Sequence, residues 1–402
     1  MTNNIAKRWR QLSGQDHWKG LLDPLDMDLR RYLIHYGEMA QATYDTFISN
    51  KLSLYSGSSR YARKDFFSKV QLVNGNPFKY KVTKFIYATS KITVPDGFIM
   101  RPDSNNSWLK QSNWMGYVAV ATDEGKAALG RRDIVVAWRG TIQPIEWLKD
   151  IDFPMVSAPK IFGEGSSVHV MDGWYSIYTS VDPHSQFNKT SARDQVLTEL
   201  KRLVEQYKSE EISITVTGHS LGASLGTLNA VDIAANGVNK RKDKSNISCT
   251  TTTCPVTAIV LASPRVGDLS FKKKCSELKD LRVFRVHNLP DIVPTLPPIA
   301  SEVGEVLYID TALSSYLNPI SVALAHLLEI YLHGIAGTQG VTAPFKLEIN
   351  RPLALVNKEV GVLRNRYEIP TAWWMDKNKG MVQGKDGSWK LMDHEEDDNK
   401  DL

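Results

Sequence analysis

The apolar residues of this chain change their spacing several times, and each change marks a different element. From Asp28 to Phe47 ("DLRRYLIHYGEMAQATYDTF") they recur near helical spacing behind an aspartate, which predicts a packed helix that braces the fold. "KVTKFIYATS" and "GYVAVAT" alternate with period two, and "DIVVAWRG" has a continuous Val-Val-Ala centre. All three predict sheet, the last an interior strand. Between Ser191 and Glu210, Val196, Leu197, Leu200, Leu203, Val204 and Tyr207 fall on one helical face and lead directly into "ISITVTG". A helix ("LGTLNAVDIAAN"), a strand and loop ("VTAIVLASPRVGD") and a strand ending in a Pro-bounded turn ("LRVFRVHNLPDIVP") follow. Such alternation predicts an α/β fold with a mostly parallel central sheet flanked by helices.

Two stretches fit no regular element. Gly237 to Pro255 ("GVNKRKDKSNISCTTTTCP") is basic, Thr-rich and poor in apolar residues, which predicts a surface excursion. The acidic end, residues 391–402, predicts a disordered tail. No repeat or interdomain linker interrupts residues 1–390, so these are expected to form one domain that includes the N-terminal helical brace.

Composition narrows the function. The chain has 402 residues, 42% of them hydrophobic and 23% charged, as in a globular protein with a deep core. No window reaches the roughly 18 consecutive apolar residues of a spanning helix. A net charge of +5 is compatible with contact at an anionic lipid surface, but is too small and dispersed to predict nucleic-acid binding. Acids are scattered, and Cys249, Cys254 and Cys275 have no histidines at metal spacing, so neither a metal nor a cofactor is expected. The odd number of cysteines predicts reduced surface thiols, and "MTNNIAKRWRQLSGQDHW" lacks the apolar core of a secretory signal. Both features point to the cytosol.

The strongest chemical signal is "SITVTGHSLGASLG", Ser213 to Gly226. Gly-x-Ser-x-Gly alone is weak. Here Gly218-His219-Ser220-Leu221-Gly222 follows a strand pattern and opens a helix pattern, the context of a nucleophile elbow. A serine on so sharp a turn leaves no room for side chains two residues to either side, hence Gly218 and Gly222. The following helix would point its N-terminus at the serine and favour an oxyanion there.

A serine hydroxyl needs a base to accept its proton, and the base needs a carboxylate to orient it. In α/β-hydrolases the chain order is serine, acid, histidine, which leaves His287, His326, His333 and His394. His394 sits in the acidic tail and His287 comes too early to follow a separate acid. His326 and His333, two helical turns apart in "AHLLEIYLH", both remain open. Asp291, held between Pro290 and Pro294 at a strand's carboxyl end, is the candidate acid.

Several blocks, in order, resemble the class 3 lipases, and more closely their plant phospholipase A1 branch, class II cytosolic group. They are "WKGLLDPLDMDLRRYLIHYGEMAQATYDTF", "VVAWRGT", "VTGHSLGASLGTLNA", "RVGD", "NLPDIVP", "LEIYLHGIAG" and "WWMDKNKGMV", covering most of the chain. The resemblance implies an α/β-hydrolase fold with a lid and hydrolysis of the sn-1 ester of phospholipids through an acyl-enzyme, with glycerolipids as the alternative substrates. It implies Ser220 as nucleophile, Asp291 as acid, and His326 as base, because the family's base is followed by a leucine (Leu327) and then an aromatic (Tyr331). It also implies an oxyanion hole from the Leu221 N–H and Thr141. "IQPIEWLKDIDF", with Ile142, Ile145, Trp147 and Leu148, stands where the family carries its lid. The implied partners are a phospholipid or glycerolipid substrate and, transiently, a membrane surface.

Overall fold

The computed structural model describes residues 2–100, 112–142, 154–242, 251–374 and 380–397. Seven strands form the central sheet: β1 (Tyr80–Ala88), β2 (Asn113–Ala121), β3 (Arg132–Trp138), β4 (Ile212–His219), β5 (Val256–Leu261), β6 (Leu281–Asn288) and β7 (Glu305–Ile309). They lie side by side in chain order. β1, β2 and β3 pair antiparallel, and every pair from β3 to β7 is parallel. Parallel neighbours require crossovers, which is why helices separate β3 from β4, β4 from β5 and β5 from β6.

Strand alternation sends successive side chains to opposite faces, and both faces are covered. Ile134, Val136 and Trp138 join one core with Ile214 and Val216, whereas Val135 and Ala137 join the other. The first core packs under two helices, which we number after α1 (Thr2–Leu12) and α2 (Met27–Thr46) as α3 (Ala192–Gln206) and α4 (Leu221–Ala235). The second packs under α2 and α5 (Leu328–Gly337). Ser191 caps α3 by accepting from the Asp194 N–H at 3.1 Å, and Asp26 caps α2 by accepting from the Asp28 and Leu29 N–H groups. No described helix is long and apolar enough to cross a membrane.

The helix expected at Asp28–Phe47 is α2, and it does more than brace. The Thr217 hydroxyl donates to the Tyr36 carbonyl at 3.1 Å, and Tyr44, in the last turn of α2, reaches the end of β4. Where the polar excursion was expected, Lys240–Lys242 and Thr251–Thr253 pair as a two-stranded ribbon, and residues 243–250, with Cys249, lie outside the described residues. Cys254 is not at the surface: it is buried, donates to the Asn239 carbonyl, and burial pushes its thiol up to about 12. Cys275 is half-buried, and burial raises it likewise to about 12.

The tail also departs from expectation. Leu391 ends a strand paired with Met381–Gln383, His394 stacks on Tyr55 with ring centres 4.4 Å apart, and the Glu395 N–H donates to the Arg60 carbonyl at 2.9 Å. Residues 391–397 are therefore docked on the 53–63 segment. Acidic composition predicted solvation, but Arg63 and Lys69 supply cations for Asp397 and Glu395.

Candidate active site

The carboxyl ends of the parallel strands bring the predicted residues together, as the topology of an α/β sheet requires. β4 ends at His219 and α4 begins at Leu221, so Ser220 is the whole of the turn between them. Its backbone has φ 57° and ψ −127°, a left-handed conformation that costs a non-glycine residue on the order of 1–3 kcal/mol. The Ser220 N–H is held by the Leu261 carbonyl at 3.1 Å. The flanking glycines are steric requirements. A Cβ on Gly218 would stand 2.3 Å from the Gly222 carbonyl oxygen, and one on Gly222 would stand 2.3 Å from that of Trp138. Backbone cannot step aside as a side chain can. Gly222→Ala is therefore expected to cost at least ~2 kcal/mol of stability and to lower activity with it. A melting temperature within about 1 °C of wild type would contradict the steric account.

His326 is the histidine that faces the serine. Its Nε2 lies 2.9 Å from Ser220 Oγ and its Nδ1 lies 2.7 Å from Asp291 Oδ2, with all three side chains buried. A carboxylate can only accept, so Nδ1 carries the proton and Nε2 is left to accept from the hydroxyl. His333 is elsewhere: its Nε2 meets Ser314 Oγ at 2.8 Å and its ring stacks on Phe345. Burial pushes its pKa down to about 3, so it is a neutral core histidine. The two were expected on one helix, two turns apart. Instead Leu327, with ψ 138°, breaks the chain between a one-turn helix ending at Ala325 and the start of α5.

The remaining partners fix this geometry, and the sequence pattern alone did not identify them. Tyr331 donates to Asp291 Oδ2 at 2.6 Å and accepts from the Asn288 N–H at 3.2 Å, while the Val293 N–H donates to Asp291 Oδ1 at 3.0 Å. Asn288, at the end of β6, donates to the Ala325 carbonyl and to Thr311 Oγ1, both at 2.9 Å, which ties the acid's loop to the histidine's loop. His219 lies 2.8 Å from the carbonyl of His326 through Nε2 and 2.7 Å from the Tyr44 hydroxyl through Nδ1. Burial and the neighbouring His326 push the pKa of His219 well below its ordinary value. Being neutral, it donates from Nε2 to the carbonyl and accepts from Tyr44. Removing one such tie should loosen the relay without emptying it. Tyr331→Phe is expected to lower kcat about tenfold at unchanged KM, since one buried hydrogen bond is worth about 1.4 kcal/mol. An unchanged kcat would show that Asp291 is held without Tyr331.

Trp138 pairs with Gly218 across β3 and β4, so Arg139–Thr141 leave β3 at the same end of the sheet as the turn at Ser220. Arg139 holds the intervening corner: buried over the Phe47 ring, it donates to the carbonyls of Trp114, Gly140 and Phe98 at 2.8–3.0 Å. Burial lowers its pKa to about 9. Thr141, Ser220 and His326 line one cavity of about 50 Å³ together with Gln41, Tyr44, Ile142, His219, Leu327, Leu328 and Glu359. Of the predicted lid, Ile142 is half-buried at its rim, and Ile145, Trp147 and Leu148 lie outside the described residues. Among the described residues no group of three His, Cys, Asp or Glu side chains is arranged to hold a metal.

A hydroxyl aimed at an imidazole that is itself oriented by a buried carboxylate can transfer its proton while its oxygen attacks a carbonyl carbon. The comparisons with known proteins agree with this chemistry. The model of the class 3 lipase family matches residues 135–301, which contain Ser220 and Asp291. Phospholipase A1-IIgamma of Arabidopsis thaliana is 58% identical over 408 residues, covering 100% of this chain and 96% of the relative. Phospholipase A1-II 1 of Oryza sativa is 53% identical over 399 residues, covering 98% of each. Solved structures are more distant: a nonglycosylated lipase of Yarrowia lipolytica is 17% identical over 72% of this chain and 82% of its own, with a TM-score of 0.46. The sequence relatives, not the solved structures, place the protein. Identical at more than half of the aligned positions along essentially their whole length, the chain belongs to the class 3 lipases, in the phospholipase A1-II group.

Proposed function

We propose that the protein hydrolyses the sn-1 ester of phospholipids, with Ser220 as nucleophile, His326 as general base and acid, and Asp291 as its orienting carboxylate. The observation that carries the mechanism is the unbroken Ser220–His326–Asp291 chain of hydrogen bonds at 2.9 and 2.7 Å. The phospholipid substrate is supported by the names of the relatives.

Ser220 Oγ attacks the ester carbonyl as its proton moves to His326 Nε2, and the charge left on the imidazole is balanced by Asp291. The tetrahedral oxyanion accepts hydrogen bonds from the Leu221 N–H and Thr141, each such donor being worth ~3 kcal/mol of transition-state stabilisation. Collapse expels the glycerol oxygen, which takes the proton from His326 and leaves as a lysophospholipid. Water, deprotonated by His326, then releases the fatty acid from the acyl-serine and restores the hydroxyl.

Contact with a lipid surface belongs to the same proposal. Leu289, Ile292 and Val322, each about half exposed, stand on the two loops that carry Asp291 and His326, and they support an apolar rim around the site. We place the protein in the cytoplasm, attached transiently to membranes, a location that the free thiols of Cys254 and Cys275 support. Digestion of a phosphatidylcholine with different sn-1 and sn-2 chains, run beside mono-, di- and triacylglycerols, tests the substrate. Release of the sn-1 acid is expected. Release from neutral glycerides alone would replace the phospholipid assignment while leaving the mechanism in place.

A further inference from the structure

Large apolar side chains that stand out into solvent gather at one place on this molecule. Among the described residues, Leu52 and Leu54 are 84% and 57% exposed, Trp389 and Met392 are 63% and 62% exposed, and Met381 and Val382 are exposed beside them. These six belong to two segments that touch. Ser53, between the two leucines, donates to Asp393 Oδ1 at 3.1 Å, and Asp393 directly follows Met392. The other three apolar residues lie on the hairpin in which Met381–Gln383 pairs antiparallel with Trp389–Leu391.

That hairpin has no core of its own. Alternate side chains of a ribbon point to opposite faces, and Met381, Val382, Gln383, Trp389 and Lys390 are all exposed, so neither face is covered. A lone two-stranded hairpin is marginal in water, and an apolar one that stays uncovered marks a surface that meets something else.

Its position says what it meets. The Trp114 N–H donates to the Gly57 carbonyl at 2.8 Å, and β2, which starts there, pairs Gly116 with Trp138 at the carboxyl end of β3. Lys51 pairs with Asp96 at 2.8 Å, and the Gly97 carbonyl next to it accepts from the Ile142 N–H, one residue beyond Thr141. The apolar patch is therefore built onto the end of the sheet where Ser220 stands. A ribbon with two open edges cannot enter hydrocarbon, where its unpaired N–H and C=O groups would find no partner. It can lie at head-group depth, the level at which a tryptophan keeps its ring in apolar surroundings and its N–H wet. Lys385 and Lys390, exposed on the same hairpin and without an ion pair among the described residues, suit the phosphates found at that depth.

We infer that Leu52, Leu54 and the 381–392 hairpin form a docking surface for a phospholipid membrane, distinct from the rim at Leu289, Ile292 and Val322, which brings the catalytic end of the sheet to the lipid. This inference deepens the lipid contact proposed above and rests on it, and the test separates the two.

Binding is measured by co-sedimentation with vesicles of diether phosphatidylcholine and phosphatidylglycerol, which are not cleaved, and turnover is measured on ester vesicles and on dissolved p-nitrophenyl butyrate. The double variant Trp389→Ser, Met392→Ser should partition onto vesicles at least tenfold less than wild type, a factor equivalent to ~1.4 kcal/mol and to ~60 Å² of apolar surface at ~25 cal/mol per Å². Its rate on ester vesicles should fall with binding, and its rate on the dissolved ester should not change. Leu54→Ser, on the other segment, should bind about threefold less and guards against a hairpin that simply misfolds. Val341→Ser is the control, an exposed valine beyond the end of α5 that lies away from Leu328 and the catalytic cavity, and it should bind as wild type does. Wild-type binding in both the double variant and Leu54→Ser overturns the inference and leaves the rim as the lipid contact. A wild type that forms a dimer dispersed by the double substitution, with vesicle binding unchanged, assigns the patch to a second copy and overturns it as well. A wild type that cleaves the dissolved ester but neither binds nor cleaves vesicles overturns the lipid contact itself.

Discussion

Replacing Ser220 with alanine is expected to lower kcat on any ester by about 10⁴-fold or more, with the melting temperature within a few degrees of wild type. The reason is local. Oγ is the only Ser220 atom that His326 engages, and alanine at φ 57° carries no more backbone strain than serine does. Whatever rate remains would come from the Leu221 and Thr141 donors acting on bound ester and water, a contribution that outlasts the relay in serine hydrolases. Turnover and thermal unfolding of the same preparation check both halves of the expectation. Activity above a hundredth of wild type would place the nucleophile on another residue.

The largest stability effect is expected at Asp133, well inside the fold. This carboxylate, fully buried near the start of β3, accepts from Ser213 Oγ at 2.6 Å, from Thr215 Oγ1 at 2.8 Å, and from the hydroxyls of Tyr36 and Tyr80 at 2.8 Å each. Arg131, equally buried, lies 3.5 Å away and donates to Tyr32, Tyr36 and Ser213. Burial opposes its charge, but Tyr32, Tyr36 and Asp133 together raise its pKa. Asp133→Ala would leave four hydroxyls and a guanidinium without their common acceptor in a site closed to water. Breaking one partner of such a pair costs about 4 kcal/mol, so urea unfolding should show a loss of at least that size. A loss below about 1 kcal/mol would mean that the network rearranges around the gap.

Asp133 also illustrates what the pattern of apolar residues left out. "DIVVAWRG" was legible as an interior strand because Ile134 to Trp138 are apolar on both faces, but nothing local distinguishes Asp133 from a surface aspartate. Its burial depends on Tyr36 from α2, Tyr80 from β1 and Ser213 from β4, residues far apart in the sequence. The elbow was legible for the opposite reason. Strand, glycine, serine, glycine and helix are consecutive, and the steric demand on Gly218 and Gly222 comes from the turn they form.

Asp291 and His326 lie between these extremes. Prolines marked the acid's loop, yet His326 and His333 were equivalent in spacing and only resemblance favoured the first. The physical difference is the break at Leu327, which takes His326 off the axis of α5 and points it at Ser220. Asn288, His219, Tyr44 and Tyr331, which fix that break in place, could not be identified without knowing which strand ends are neighbours. The docked tail was missed because composition reports the charge of residues 391–397 and not the cations of the 53–69 segment that they meet.

Activation of one hydroxyl by one histidine is measured directly by covalent labelling. Treatment with a fluorophosphonate, followed by peptide mass spectrometry, should place a single adduct on Ser220 in the wild type and almost none in His326→Ala, with His333→Ala labelled as fast as wild type. An adduct on a different serine, or equal labelling of Ser220 when His326 is absent, would contradict it.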